Sequence, residues 1–103
     1  MGSIADYTPW GYSTHMKTET KRLLQNRLRR IEGQVRGLQE LVAKDTYCID
    51  VITQTSAIKS ALSGVEDVLL ENHLDTCAST QIRSGNTNKA KQEILKVYKL
   101  KRK

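Results

Sequence analysis

The chain has 103 residues, 38% of them hydrophobic, with four Tyr, one Trp and no Phe, which is enough for one small domain but lean for a monomer that must bury its own core. The formal net charge is +6, which points to a polyanionic partner, with nucleic acid first. No apolar run approaches the roughly 20 residues of a membrane span, and no basic start with an apolar stretch marks a secretory signal; a membrane protein is excluded, a cytoplasmic location is expected, and two Cys there read as thiols, metal ligands or redox groups rather than as a disulfide framework.

Residues 1–17 read as a flexible arm, because Gly2, Ser3, Pro9, Gly11 and Ser13 break any apolar period. His15-Met16 fits either a native segment or the seam of an added leader, with Met16 as the natural start. Residues 18–103 read as a single helical domain. Thr18 to Ala43 has a helical pattern: Leu24, Leu28, Ile31, Val35, Leu38 and Val42 are spaced 4, 3, 4, 3, 4, the mark of a helix packed lengthwise on others. Gly33 and Gly37 lie one turn apart within it and would admit another backbone closely. Lys44-Asp45-Thr46 reads as a break with a fresh N-cap. A second helix is predicted from about Tyr47 to about Thr80, with Val51, Ile58, Leu62, Val65 and Leu69 as its apolar stripe. Ser84 to Asn88 reads as a turn, and a third, shorter helix follows with Ile94, Leu95, Val97 and Tyr98 apolar. No strand, repeat or phosphate-cradling glycine loop is apparent.

Charge is unevenly placed. Residues 17–44 hold eight Lys/Arg against three Glu, and residues 89–103 hold seven against one. Residues 45–88 hold two basic and six acidic residues. On the first helix Arg22, Arg29 and Arg36 are seven apart and form a stripe, with Arg27 and Arg30 beside it. Arg suits phosphate and guanine contacts through its planar fork.

His73 and Cys77 are four apart on a predicted helix, one turn apart on one face. Cys48 precedes His73 by 25 residues along what reads as one helix, roughly 38 Å at about 1.5 Å per residue. One chain cannot bring all three to one metal unless that helix breaks. Two such helices packed antiparallel can, with Cys48 of one chain meeting His73 and Cys77 of the other and two-fold symmetry giving two sites. Two thiolates and an imidazole suit Cu(I), and also Zn(II) with a fourth ligand. Cys48 sits in the first turn of its helix, where the dipole favours thiolate.

The stretches Arg29-Arg30-Ile31-Glu32-Gly33-Gln34-Val35-Arg36-Gly37, Tyr47-Cys48-Ile49-Asp50-Val51 and Asn72-His73-Leu74-Asp75-Thr76-Cys77 resemble the copper-sensitive operon repressor family, over about residues 18–100. The family also contains nickel/cobalt, formaldehyde and persulfide sensors. The resemblance implies an all-α protein with three helices per chain, an antiparallel four-helix-bundle dimer core and dimers pairing into a tetramer. It implies binding to operator DNA in the metal-free state and release when the inducer binds. The copper sensors carry Cys, His and Cys where this chain has Cys48, His73 and Cys77. His73 argues against a persulfide sensor. Gly2 and the second Cys argue against a formaldehyde sensor. Nickel/cobalt sensors commonly add a His that falls on Met16 by spacing, beside His15, so Ni(II) is the alternative inducer. Tyr47 and Glu93 match a Tyr and a Glu that couple the metal-bound His to DNA release. Arg27 matches a DNA-contact position. A second DNA-contact Arg of the family falls on Gly64, a departure for which Lys59 is the nearest substitute.

The expected function is therefore a Cu(I)-responsive repressor, with Cys48, His73 and Cys77 as ligands. Tyr47 and Glu93 support His73, and Arg22, Arg27, Arg29, Arg30, Arg36 and Lys59 face DNA. A Ni(II)/Co(II)-responsive repressor of the same family and a cytosolic copper buffer without DNA binding are the alternatives. An enzyme using a Cys nucleophile with His73 as base is disfavoured, because no orienting acid or substrate pocket is apparent.

Overall fold

The computed structural model describes residues 16–102. The expected arm, with His15, lies outside the described residues except for Met16 and Lys17. Helix α1 spans Thr18–Ala43 and α2 spans Cys48–His73; a π-helical turn, Leu74–Ala78, leads into α3, Ser79–Arg83, and α4 spans Thr87–Lys101. Among the described residues there is no strand. The fold is all-α, as the sequence implies. The predicted second helix is α2, the π turn and α3 in unbroken succession. It runs to Arg83, a little past the expected end at Thr80.

The breaks have local causes. At the end of α1 the Thr46 amide donates to the Leu41 carbonyl at 3.0 Å, and Asp45 takes a left-handed conformation with φ 56°. Asp is among the few non-Gly residues that tolerate that region. After α3 the Asn86 amide donates to the Gln81 carbonyl at 2.7 Å, and Gly85 holds φ 85°, where a side chain would be strained.

The chain divides into two compact units, one of residues 17–70 and one built on the residues from Glu71 onward. In the first, Leu24 and Ile31 of α1 and Ile58 and Val65 of α2 form the buried cluster, with Leu38, Ala61 and Val68 packed against it. In the second, Ala78, Gln81 and Ala90 are each 2% exposed; two of the three are small, so α3 and α4 approach closely.

The apolar seam read on α1 as one stripe is two. Leu24 and Ile31, seven apart, face α2. Leu28, Val35 and Val42, also seven apart, are exposed. On α2 the expected stripe splits likewise: Ile58 and Val65 are buried, whereas Leu62 and Leu69 are exposed. Within one hairpin each helix has one neighbour, so only half of a heptad pattern finds cover. No backbone approaches Gly33 or Gly37 among the described residues: a Cβ at Gly33 would meet only the Arg36 side chain, and one at Gly37 nothing. Among the described residues, the close approach that these glycines would admit is not made. No described helix is long and apolar enough to cross a membrane.

Candidate metal centre

The junction between α2 and α3 places the candidate ligands. His73 is the last residue of α2 and Cys77 lies in the π turn. The π turn carries i→i+5 bonding, which widens the helix and is common at functional sites. The Ser79 hydroxyl reinforces it by donating to the Leu74 carbonyl, five residues back, at 2.8 Å. The spacing of four therefore falls just short of a full turn here, not just beyond one, and His73 and Cys77 still share a face. Thr76, half-buried, donates its hydroxyl to the Asn72 carbonyl at 2.8 Å and lies 3.6 Å from Cys77 Sγ.

His73 Nε2 is 2.9 Å from Glu93 Oε2, with both side chains about a third exposed. Nε2 is buried, and the pair stands at hydrogen-bonding distance without hydrogen-bond alignment. The other Glu93 oxygen, Oε1, accepts from Gln81 Nε2 at 3.2 Å. Glu93 of α4 is thus held by two side chains from the α2–α3 run. This contact occupies Nε2 of His73 and leaves Nδ1 as the nitrogen for a metal. A ligating His usually gives its second nitrogen to a carboxylate in this way, which fixes its tautomer and orientation.

Gln81 was not legible as part of the site. It is eight residues after His73 and four after Cys77, so helical spacing alone puts it on their face. Its Nε2 is taken by Glu93, while its Oε1 is buried without a hydrogen-bond partner. Gln81→Leu is expected to lower the stability of the metal-free protein by about 1 kcal/mol and to weaken metal binding roughly tenfold through a loosened Glu93. Urea denaturation and a chelator-competition titration measure the two effects.

Cys48 opens α2 and is exposed, and neither cysteine is in a disulfide. Tyr47, just before it, is 71% exposed. Both belong to the first compact unit, whereas His73, Cys77 and Glu93 belong to the second. Among the described residues of one chain, no three His, Cys, Asp or Glu side chains gather as a metal site. Within the second unit, His73 and Cys77 lie four residues apart on one face.

Of the candidate DNA-facing residues, Arg22, Arg29, Arg30, Arg36 and Lys59 are exposed and Arg27 is half-buried. Arg36 comes within 4.0 Å of Glu32 one turn away, with both side chains more than 70% exposed, an arrangement that contributes little to stability.

Residues 20–100 match the family model described as metal-sensitive transcriptional repressor. The chain is 44% identical over 85 residues to the copper-sensing transcriptional repressor CsoR of Bacillus subtilis, covering 82% of this chain and 84% of that protein. It is 45% identical over 73 residues to the copper-sensing transcriptional repressor RicR of Mycobacterium tuberculosis, covering 71% of this chain and 76% of that one. Its fold superposes with a TM-score of 0.79 on the crystal structure of the copper-sensing repressor CsoR with Cu(I) from Geobacillus thermodenitrificans, at 40% identity and over 86% of this chain and 93% of that one. The chain belongs to the metal-sensitive transcriptional repressor family, and it is a regulator rather than an enzyme.

Proposed function

We propose that this protein is a copper-responsive repressor of the cytoplasm, bound to operator DNA when metal-free and released when Cu(I) binds. The observation that carries this reading is the Gln81–Glu93–His73 chain beside Cys77. It presents one imidazole nitrogen and one thiol on a single face, with the second imidazole nitrogen already against a carboxylate. The names of its relatives, copper-sensing repressors, agree with that donor set.

The donors fit the metal. Cu(I), when bound, supplies a soft acceptor satisfied by two thiolates and an imidazole. His73 and Cys77 provide two of these within one chain, and Cys48 of a second chain provides the third. The uncovered stripe of Leu28, Val35 and Val42, with Leu62 and Leu69, is the apolar surface such a partner needs. The assembly is an antiparallel four-helix dimer, with dimers pairing into a tetramer, and residues 18–103 act in it as one metal-sensing and DNA-binding domain. Tyr47, exposed in one chain, joins Glu93 in supporting His73. A metal held at His73 Nδ1 would act through the Nε2 contact on Glu93, and so on α4, which carries Glu93. Arg22, Arg27, Arg29, Arg30, Arg36 and Lys59 form the basic faces for DNA, where phosphate contacts supply much of the affinity. Metal and DNA then oppose each other by the same coupling free energy, about 1–3 kcal/mol being ordinary.

The test is a release series. A fluorescent duplex selected by this protein from a random library is bound to the metal-free form, and Cu(I), Ni(II), Co(II) and Zn(II) are added separately. Release by Cu(I) at the lowest concentration is expected. Preferential release by Ni(II) or Co(II) would assign another inducer. A protein that selects no duplex would be a copper buffer.

A further inference from the structure

Thr76 stands between the helix backbone and the sulfur of Cys77. Its Oγ1 donates to the Asn72 carbonyl at 2.8 Å and also lies 3.6 Å from Cys77 Sγ, within reach of a hydrogen bond to an atom as large as sulfur. We infer that Thr76 is a positioning residue for the Cys77 thiolate. Its single hydroxyl proton serves the Asn72 carbonyl while the sulfur is neutral and turns to Sγ when Cys77 acts as a ligand. The inference rests on the reading of Cys77 as a Cu(I) ligand.

The local geometry makes the contact. Adjacent residues on an α-helix ordinarily point apart. Thr76 and Cys77 both lie in the π turn Leu74–Ala78, whose circuit takes more residues, so neighbours in sequence diverge less. Back-bonding from a threonine hydroxyl to the carbonyl four residues earlier is otherwise ordinary in this chain. Thr53 donates so to Ile49, Thr55 to Val51 and Thr80 to Thr76, at 2.8, 2.9 and 2.8 Å. Of these hydroxyls only that of Thr76 also reaches a sulfur. The branched Cβ of a threonine restricts χ1 in a helix. The side chain therefore keeps both acceptors in reach, and the proton changes partner by rotation about the Cβ–Oγ1 bond alone.

The charge on sulfur decides which acceptor wins. A hydroxyl has one proton to give, and a neutral thiol is a weak acceptor, so the nearer carbonyl holds it in the metal-free chain. A thiolate is charged, and charge-assisted hydrogen bonds are roughly twice as strong as neutral ones. Thr76 and Cys77 are both half-buried, which limits competition from water. A donor on a ligand sulfur orients it and tunes its electron donation, as hydrogen bonds to other metal ligands do.

The test reads the sulfur first without copper. In full-length protein carrying Cys48→Ala, Cys77 is the single thiol. Its alkylation by iodoacetamide, in which Sγ displaces iodide, is followed by mass spectrometry at about pH 10, where an ordinary cysteine thiol is ionised. A hydrogen bond to a thiolate lowers its nucleophilicity. Thr76→Val and Thr76→Ala, which remove the proton, are expected to raise the rate about threefold or more, while Thr76→Ser stays near the parent. Thr80→Val, which loses a back-bond without touching sulfur, should leave the rate unchanged. Circular dichroism checks that each variant keeps its helix. A rate unchanged in Thr76→Val and Thr76→Ala, or raised equally in Thr80→Val, overturns the donation to Sγ. With both cysteines restored, chelator competition should show Cu(I) affinity lowered about tenfold in Thr76→Val and recovered in Thr76→Ser. Faster alkylation with unchanged Cu(I) affinity overturns the positioning role. A parent protein that shows the alkylation pattern but binds no Cu(I) sinks the copper-sensing reading and leaves the donation from Thr76 standing.

Discussion

Cys77→Ser is expected to weaken Cu(I) binding by more than about a hundredfold, beyond the upper end of what the loss of a supporting residue costs. Serine preserves the size and the π turn, so the folded chain changes little. The hydroxyl stays protonated at neutral pH and is a hard, poor donor to Cu(I), whereas the thiolate is a soft one. His73 and Glu93 remain paired, since their contact does not pass through Cys77. The metal-free variant should therefore bind the selected duplex as the parent does and fail to release it on adding Cu(I). A chelator-competition titration gives the affinity, and anisotropy of the labelled duplex gives the release. Retained copper affinity would remove Cys77 from the ligand set.

Arg27→Ala is expected to weaken DNA binding by about tenfold or more, with the loss similar across duplex sequences. The slope of log affinity against log salt should fall by roughly one for each engaged copy. Arg27 is singled out because it is the half-buried one of the candidate DNA-facing residues; partial burial restricts its side chain before DNA arrives, so less side-chain entropy is lost on contact. Arg36, which approaches Glu32 within its own helix, should show a smaller effect. Copper affinity should be unchanged in Arg27→Ala, and a parallel fall in both would mean the variant had damaged the fold.

Much of the architecture was legible because the signals were local. The 4, 3, 4, 3, 4 spacing defined α1 from Thr18 to Ala43, and Asp45 and Gly85 marked both turns with residues that accept positive φ. The pairing of His73 with Cys77, and Glu93 as support for His73, followed from spacing and resemblance. What the sequence hid was tertiary. The split of each apolar pattern into covered and uncovered halves depends on how many neighbours a helix has, which a periodicity does not encode. The π turn at Leu74–Ala78 leaves no residue signature, since its extra width arises from the hydrogen-bond register. Gln81 is polar, lies late in a helical run and would ordinarily be read as solvated; only folding shows it buried and bonded to Glu93.

The shared site is tested most directly by counting metal in mixed dimers. One chain carries Cys48→Ala and the other His73→Ala, each with a different affinity tag, and the doubly tagged species is purified and titrated with Cu(I) against a chelator. If Cys48 of one chain serves His73 and Cys77 of its partner, one site loses two ligands and the other keeps all three. The mixed dimer should then bind one Cu(I) with the affinity of the parent. If the three ligands came from a single chain, each site would lack one ligand, and no high-affinity Cu(I) would remain.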